Sequence, residues 1–243
     1  VREGEVLGIV GPGGVGKTVL LKIMAALLRP DRGQVHVFGE DIHTLGAGRL
    51  AAVRRRMGML FQNYALFDFL PVVENVAFPL LRQGDLPREK VISLASSLLA
   101  EVGLAGTESL YPSELSGGMK KRVALARATI HAPDLVLYDD PTAGLDPVTS
   151  SKIFGLLRRL HDERWSTDVV VSHDVDRMKD VCDRYLVLHD GRVQFRGTIE
   201  EAESASEDPV VKVFFFASDK ALPLAKPEAC PSPEQAGEDE APP

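Results

Sequence analysis

The stretch Gly11-Pro12-Gly13-Gly14-Val15-Gly16-Lys17-Thr18 stands between an apolar run, Val6 to Val10, and a helix-like run that starts at Val19. This order of buried strand, glycine-rich turn and helix predicts a P-loop, which binds nucleotide phosphates. Glycines let backbone N–H groups approach phosphate oxygens, Lys17 adds a positive charge, and the Thr18 hydroxyl offers a ligand for Mg²⁺. Kinases, GTPases and motor ATPases share the pattern, so by itself it predicts only ATP or GTP binding.

The composition is that of a globular protein with an uneven charge. The chain has 243 residues, 44% of them hydrophobic, and a formal net charge of −7. Residues 219–243 contain six acidic and two basic side chains, which gives −4 and leaves −3 for the rest. A body so near neutrality argues against nucleic acid as a partner. Two cysteines form no disulfide framework and favour a reducing cytosol, and no apolar run approaches the roughly twenty residues of a membrane span.

Both ends of the chain carry an expectation of their own. The start, Val1-Arg2-Glu3-Gly4-Glu5, resembles the middle of a turn, which predicts that the first strands of the domain are missing. One domain is expected over residues 1–217. Prolines and scattered acidic residues predict an acidic, Pro-rich, disordered tail at 218–243.

Periodicity and turn residues divide the first half of the chain into short elements. The patterns predict a helix from Val19 to Leu28, a short strand at 35–37, a basic helix over 47–56 and a buried strand over 57–61, directly before Gln62. From 63 to about 130 they predict an inserted helical subdomain. Its aromatic residues Tyr64, Phe67 and Phe69 either pack inside the subdomain or contact a partner.

The second half places polar residues where strands end or helices begin. Ser116-Gly117-Gly118 stands at a predicted helix start, which is a second anion site. Asp139-Asp140 ends a buried strand, and carboxylates at that end of a parallel sheet face the ligand crevice. Asp146 precedes a helix over 148–163, and His173 follows another buried strand. Asp190-Gly191 predicts a β-hairpin, and Thr198 with Glu201 a capping box.

In this order and approximate spacing, the P-loop, Gln62, Leu115 to Gly118, Asp139-Asp140-Pro141, Asp146 and His173 resemble the ATP-binding-cassette (ABC) ATPases. The resemblance covers residues 1 to 203. It implies an α/β fold: a RecA-like P-loop NTPase core with a small antiparallel β subdomain and an inserted helical subdomain. It also implies a head-to-tail homodimer in which two ATP molecules lie between the P-loop of one copy and the Ser-Gly-Gly turn of the other.

Site roles follow from this resemblance residue by residue. Catalytic roles fall to Lys17, Gln62, Asp140 and His173, and Mg²⁺ binding to Thr18, Gln62 and Asp139. ATP binding falls to Gly11, Pro12, Gly13, Gly14, Val15, Gly16, Lys17, Thr18 and Val19, and across the dimer to Ser116, Gly117, Gly118 and Asp146. Positioning and charge neutralisation by such groups is what phosphoryl transfer requires.

A finer resemblance lies in Leu60 to Asp68, Glu74 to Leu80, the run LSGGMKKR at 115–122, and Tyr138 before the carboxylates. These segments are similar to the ATPase subunits of Mla-type or Mce-associated transporters, which move phospholipids or related lipids between the inner membrane and the outer envelope. The resemblance implies an integral membrane permease on the Tyr64 to Phe69 region, a periplasmic Mce-type lipid-binding protein beyond it, and a cytoplasmic position on the inner membrane. An ATPase of a lipoprotein-release or amino-acid transporter is the alternative.

Asp140 departs from the family pattern, which has glutamate at this position to polarise the hydrolytic water. Aspartate is one methylene shorter, so its carboxylate is expected to fall about 1 Å short, which predicts slow hydrolysis. Two alternatives stay open: a compensating backbone shift, and a regulatory subunit that binds ATP with little hydrolysis. The family's adenine-stacking aromatic has no counterpart among the ten residues before Gly11.

Overall fold

The computed structural model describes residues 1–205 and 207–216. Its strands are β1 (Val6–Val10), β2 (His36–Val37), β3 (Glu40–Asp41), β4 (Met57–Leu60), β5 (Leu135–Asp139), β6 (Thr167–Val171), β7 (Arg184–His189) and β8 (Arg192–Gly197). Its α-helices are α1 (Lys17–Met24), α2 (Ala47–Arg55), α3 (Val72–Gln83), α4 (Arg88–Glu101), α5 (Gly117–Thr129), α6 (Pro147–Arg164), α7 (Val175–Met178), α8 (Ile199–Ser204) and α9 (Pro209–Phe215). None of these helices is long and apolar enough to cross a membrane.

A six-stranded sheet in the order β4-β5-β6-β1-β7-β8 forms the centre of the fold. Its neighbouring strands pair in parallel except for β7 and β8, which form the antiparallel hairpin predicted at Asp190-Gly191. Strands β1, β5 and β6 are buried almost throughout, as expected for parallel strands covered on both faces. A parallel sheet gathers the loops that follow its strands at one edge, and this edge carries the candidate site.

Two smaller units complete the predicted architecture. Strands β2 and β3 pair antiparallel beside the main sheet. Helices α3, α4 and part of α5 enclose an apolar core of their own, built around Val76, Leu99 and Val123, each 0% exposed. The α/β class, with a small antiparallel β unit and a helical unit, is therefore confirmed.

The first helix is shorter than the sequence pattern predicts. Helix α1 ends at Met24, and Ala26 takes a left-handed conformation with φ of 54°. The N–H groups of Leu27 and Leu28 both donate to the Lys22 carbonyl, which caps the helix end by chain reversal. The two leucines are consequently 48% and 43% exposed, and the predicted extension to Leu28 is wrong.

The aromatic residues after Gln62 do not share one environment. Phe67 packs on Phe78 with ring centroids 4.6 Å apart, and Tyr64 packs against the main core. Phe69 is 76% exposed. Internal packing therefore accounts for two of the three side chains and leaves Phe69 on the surface.

Candidate active site

The P-loop leaves the buried strand β1 and ends at the first turn of α1. The Lys17 ammonium lies inside the loop, where Nζ donates to the carbonyls of Gly11 (2.8 Å) and Pro12 (2.9 Å). Burial lowers the pKa of Lys17, and the charges of Asp140 and Asp139 oppose that effect. The ammonium is thus held within the loop, close to the carboxylates of Asp139 and Asp140.

Two glycines of the loop are required by its geometry. A Cβ atom on Gly11 would lie 2.3 Å from the Leu188 carbonyl oxygen of β7, closer than any side chain permits. Gly16 precedes α1 with φ of 103°, which L side chains rarely adopt. The loop therefore approaches β7 closely at Gly11 and makes a left-handed turn at Gly16, directly before α1.

Thr18 and Asp139 bring two hard oxygen ligands together. Thr18 is in the first turn of α1, Asp139 ends β5, and Thr18 Oγ1 donates to Asp139 Oδ1 over 2.7 Å. Mg²⁺ favours one or two protein oxygens together with water and substrate phosphates, so this donor pair fits the ion. No group of three or more His, Cys, Asp or Glu side chains with metal-site geometry is present in residues 1–205 and 207–216.

Asp140 is held by its neighbours on β6 and the following turn. Its backbone is left-handed, with φ of 47°. Oδ1 accepts from Ser172 Oγ at 3.3 Å, and Oδ2 lies 3.8 Å from His173 Nε2. Burial raises the pKa of Asp140, while the charge of His173, the Ser172 bond and the charge of Lys121 oppose the rise. The Asp140 side chain is only 11% exposed, against 58% for His173.

One cavity of about 270 Å³ collects most of the predicted site. Gln62 joins it at the end of β4, and its backbone carbonyl accepts from Lys121 Nζ at 2.8 Å. The residues that line this cavity are Gly14, Gly16, Lys17, Thr18, Val19, Gln62, Asp139, Asp140, Val171 and His173. Glycine-rich loop, acidic and imidazole groups from four different segments thus face the same space.

Ser116, Gly117, Gly118 and Asp146 do not line that cavity. Ser116 caps α5, accepting from the Met119 N–H at 3.3 Å, and Asp146 caps α6, accepting from the N–H groups of Val148 and Thr149, both at 3.0 Å. Hydrogen bonds from Thr149 lower the pKa of Asp146. The two helix starts adjoin, since a Cβ on Gly118 would lie 2.9 Å from Thr149 Cγ2. Within a single chain the predicted site residues therefore form two separate groups.

Sequence reasoning missed two side chains that contact the site. Ser172 stands just before His173 at the end of β6, and that position is a usable signal for a residue at the cavity. Lys121 belongs to the basic run Lys120-Lys121-Arg122, which looks like a solvated helix face. In the structure Lys121 is 0% exposed. The signal available in the sequence was that this basic residue occupies a position in the apolar stripe of the helix, which indicates burial.

A parallel sheet with a phosphate loop after one central strand and paired carboxylates after another defines a P-loop nucleoside triphosphatase. The chain belongs to the ABC transporter family, whose model matches residues 1–143, and it is an ABC-type ATP-binding subunit and ATPase. It is 40% identical over 219 residues to the intermembrane phospholipid transport system ATP-binding protein MlaF of Haemophilus influenzae, covering 90% of this chain and 83% of that one.

Two further similarities bear on function. The chain is 42% identical over 201 residues to the methionine import ATP-binding protein MetN of Caulobacter vibrioides, covering 83% of this chain and 60% of that one. A solved structure described as a dimeric post-hydrolysis state of an ATP-binding cassette, bound to ADP and Pi, has a TM-score of 0.76 and 34% identity. The match covers 82% of this chain and 87% of the chain in that structure.

Proposed function

We propose that this chain is the ATP-hydrolysing subunit of a transporter that moves phospholipid, or a related lipid, across the bacterial envelope through a membrane permease. The observation that carries the hydrolytic part is the single cavity in which Lys17, Thr18, Asp139, Asp140 and His173 meet. The lipid substrate is supported by the similarity to MlaF over most of both chains.

The residues of the cavity divide the work of phosphoryl transfer. Lys17 and the loop N–H groups bind the β- and γ-phosphates and neutralise their charge. Thr18 and Asp139 hold Mg²⁺, which Gln62 also contacts, and the bound ion neutralises charge on the phosphate oxygens. Asp140 orients and deprotonates water, and His173 donates a hydrogen bond toward the γ-phosphate.

The second group of residues completes the site of another copy. Ser116 to Gly118 lies outside the chain's own cavity, at the start of a thirteen-residue helix, and a helix start favours anions. In a head-to-tail homodimer this turn binds the partner's γ-phosphate, and Asp146 connects the copies beside it. The dimeric cassette bound to ADP and Pi supports this arrangement.

A groove of about 800 Å³ between α2, β4 and α3 is the proposed permease site. Its lining residues include Phe67, Phe78, Arg54, Arg82 and His131. None of the side chains that line this groove is acidic. The proposed occupant is a permease segment with apolar and acidic side chains, and the proposal puts the ATPase on the cytoplasmic face of the inner membrane. A periplasmic Mce-type lipid-binding protein lies on the other side of the permease.

The proposed function is tested by purifying the chain with its permease and identifying the lipid that accompanies it. Bound phospholipid and ATP turnover that phospholipid stimulates are the expected results. Lys17→Ala should abolish ATP turnover. The complex should still bind lipid, because under this proposal the P-loop contacts nucleotide and not lipid. Turnover that methionine or another amino acid stimulates, with no lipid bound, would favour the amino-acid transporter suggested by the similarity to MetN.

The permease site has a separate test with a matched control. Arg82→Glu reverses a charge in the groove and is expected to weaken co-purification of the permease. Arg88→Glu reverses a charge outside the groove, on a side chain that pairs with Glu74 at 2.6 Å, and should leave the complex intact. Equal losses for the two variants would argue against the groove.

A further inference from the structure

Helix α5 carries two buried cations that reach back to the segment after β4. Lys121 Nζ donates to the carbonyls of Gln62 (2.8 Å) and Asp140 (3.1 Å). Arg127 donates to the carbonyls of Tyr64 and Ala65, both at 2.6 Å. The two cations are 0% and 9% exposed. In the described part of the chain, neither forms a salt bridge with a carboxylate.

A buried ammonium that binds backbone carbonyls loses the favourable hydration of its charge. Burial disfavours a charged group and lowers the pKa of Lys121, while nearby Asp140 and Asp139 oppose that effect. Three of the four residues whose carbonyls accept from Lys121 and Arg127 have an unusual backbone conformation. Tyr64, Ala65 and Asp140 all have left-handed backbones, with φ of 60°, 51° and 47°. Such conformations occur where surrounding contacts over-determine them, often at functional sites.

The two carbonyls that Lys121 joins belong to two walls of the nucleotide cavity. Gln62 follows β4 and Asp140 follows β5, so the ammonium ties together the ends of two strands. It also lies 4.8 Å from the centre of the Tyr64 ring. Because it binds the backbone of residue 140, it fixes where that short side chain starts. The reach of the Asp140 carboxylate therefore depends on Lys121.

The same helix starts at the turn proposed to bind the partner's nucleotide. Ser116 caps α5, and Lys121 lies about one and a half turns further along. A rigid helix transmits movement at its start to its buried side chains. A shift of Ser116 to Gly118 on contact with the partner would therefore move the ammonium and both carbonyls that it holds.

We propose that Lys121 is a positioning residue for ATP hydrolysis, which holds the backbones of Gln62 and Asp140 from the helix that binds the partner's nucleotide. Among residues 1–205 and 207–216, its ammonium forms no salt bridge with a carboxylate and no hydrogen bond with the phosphate-binding loop. Its effect reaches the reaction through the Asp140 carboxylate and, across the dimer, through α5. The inference rests on the proposed role of Asp140 in activating water.

The test compares Lys121→Met with Arg122→Met in the full chain assembled with its permease. Arg122 is the matched control, because its Nη1 also donates to two carbonyls, those of Val102 (3.2 Å) and Gly103 (2.8 Å), away from the cavity. Lys121→Met is expected to lower kcat by about 10- to 100-fold, the loss that misplacing a catalytic group by about 1 Å causes. ATP affinity should change less than about twofold, since both variants leave the P-loop intact. Lys121→Arg should restore most of kcat, and Arg122→Met should keep it.

Three results would overturn the inference. They are an unchanged kcat in Lys121→Met, a loss of kcat in Lys121→Met that is matched by an equal loss of ATP affinity, and parallel losses of kcat, ATP affinity and Tm in the Lys121 and Arg122 variants. If Lys121→Met fails to fold, Lys121→Gln is judged by the same comparison of kcat with ATP affinity.

Asp140→Asn separates this inference from the function on which it rests. Full turnover in Asp140→Asn would refute the proposed role of Asp140 itself. An inactive Asp140→Asn together with a fully active Lys121→Met would leave that role in place and refute only the positioning role of Lys121.

Discussion

At the scale of single residues, the Asp140 carboxylate is the group on which we expect the rate of hydrolysis to depend. Its oxygens lie next to Ser172 and His173, and its side chain is largely buried. An aspartate held this way starts from a fixed backbone and is one methylene shorter than glutamate. Both features limit its reach toward water at the γ-phosphate.

Asp140→Glu is therefore expected to raise ATP turnover of the assembled complex, by up to about 10²-fold. The added methylene moves the carboxylate outward by about 1 Å without changing its charge. Steady-state phosphate release compares the two proteins, with Asp140→Asn as the inactive reference. Equal rates for aspartate and glutamate would show that the backbone already compensates.

The pH dependence of turnover gives a second prediction for the same group. Burial raises the pKa of Asp140, so the charged form is lost as pH falls through a value above that of an ordinary aspartate. The Ser172 hydroxyl favours the charged form, and Ser172→Ala should raise the pKa further. The acidic limb of the kcat profile should then move to higher pH. Ser204→Ala, which removes an exposed hydroxyl of α8, should leave the limb in place, and a shift to lower pH in Ser172→Ala would contradict the prediction.

At the scale of elements, local chemistry predicted some structures fully and others only in part. The Asp190-Gly191 hairpin and the Thr198 capping box formed as expected, since their turn and cap bonds depend on neighbouring residues alone. The first helix stops at Met24 because Ala26 reverses the chain, and helical spacing of leucines carries no signal for that reversal. Lys121 was missed for a related reason: its burial depends on the Gln62 and Asp140 carbonyls, which are distant in sequence.

Replacing glycine by alanine is expected to have opposite effects on stability in strand β1 and in helix α6. A Cβ on Gly8 in β1 would lie 2.7 Å from Met178 Cε and 3.1 Å from Cys182 Sγ, whereas one on Gly155 in α6 meets nothing within 4 Å. Gly8→Ala should destabilise the fold by about 1–3 kcal/mol through overpacking. Gly155→Ala should stabilise it by about 0.5–1 kcal/mol, because alanine favours the helix.

Thermal unfolding measures both effects, with each kcal/mol worth about 2–4 °C in Tm for a domain of this size. The two variants control each other, since each adds one methyl group to a glycine of the same chain. A Gly8→Ala protein as stable as the wild type would mean that Met178 and Cys182 move aside at little cost.

At the scale of the whole molecule, the sequence motifs form two groups that a single chain does not unite. Their order along the chain predicted the fold and the cavity, because parallel strands bring their following loops to one edge. The sequence did not predict that Ser116 and Asp146 lie outside that cavity, because this depends on the three-dimensional positions of the first turns of α5 and α6. A complete site accordingly requires a second copy under the proposed dimer.

Mixed dimers test that requirement. Lys17→Ala and Ser116→Arg should each prevent ATP-dependent dimerisation, since either homodimer lacks one half of both sites. A mixture of the two should form dimers, because the heterodimer contains one site with an intact P-loop and an intact Ser-Gly-Gly turn. Sedimentation with ATP distinguishes the cases, and a mixture that stays monomeric would contradict the shared site.

Strand β1 lies in the middle of the sheet, although both strands that pair with it come much later in the chain. It pairs with β6 from Val6 opposite Asp168 and with β7 from Leu7 opposite Arg184. A ribosome adding roughly 5–20 residues per second needs on the order of ten seconds to reach those partners. The phosphate loop is thus synthesised well before the strands that fix it in place. A nascent chain therefore cannot bind nucleotide at this loop before strands β6 and β7 have been made.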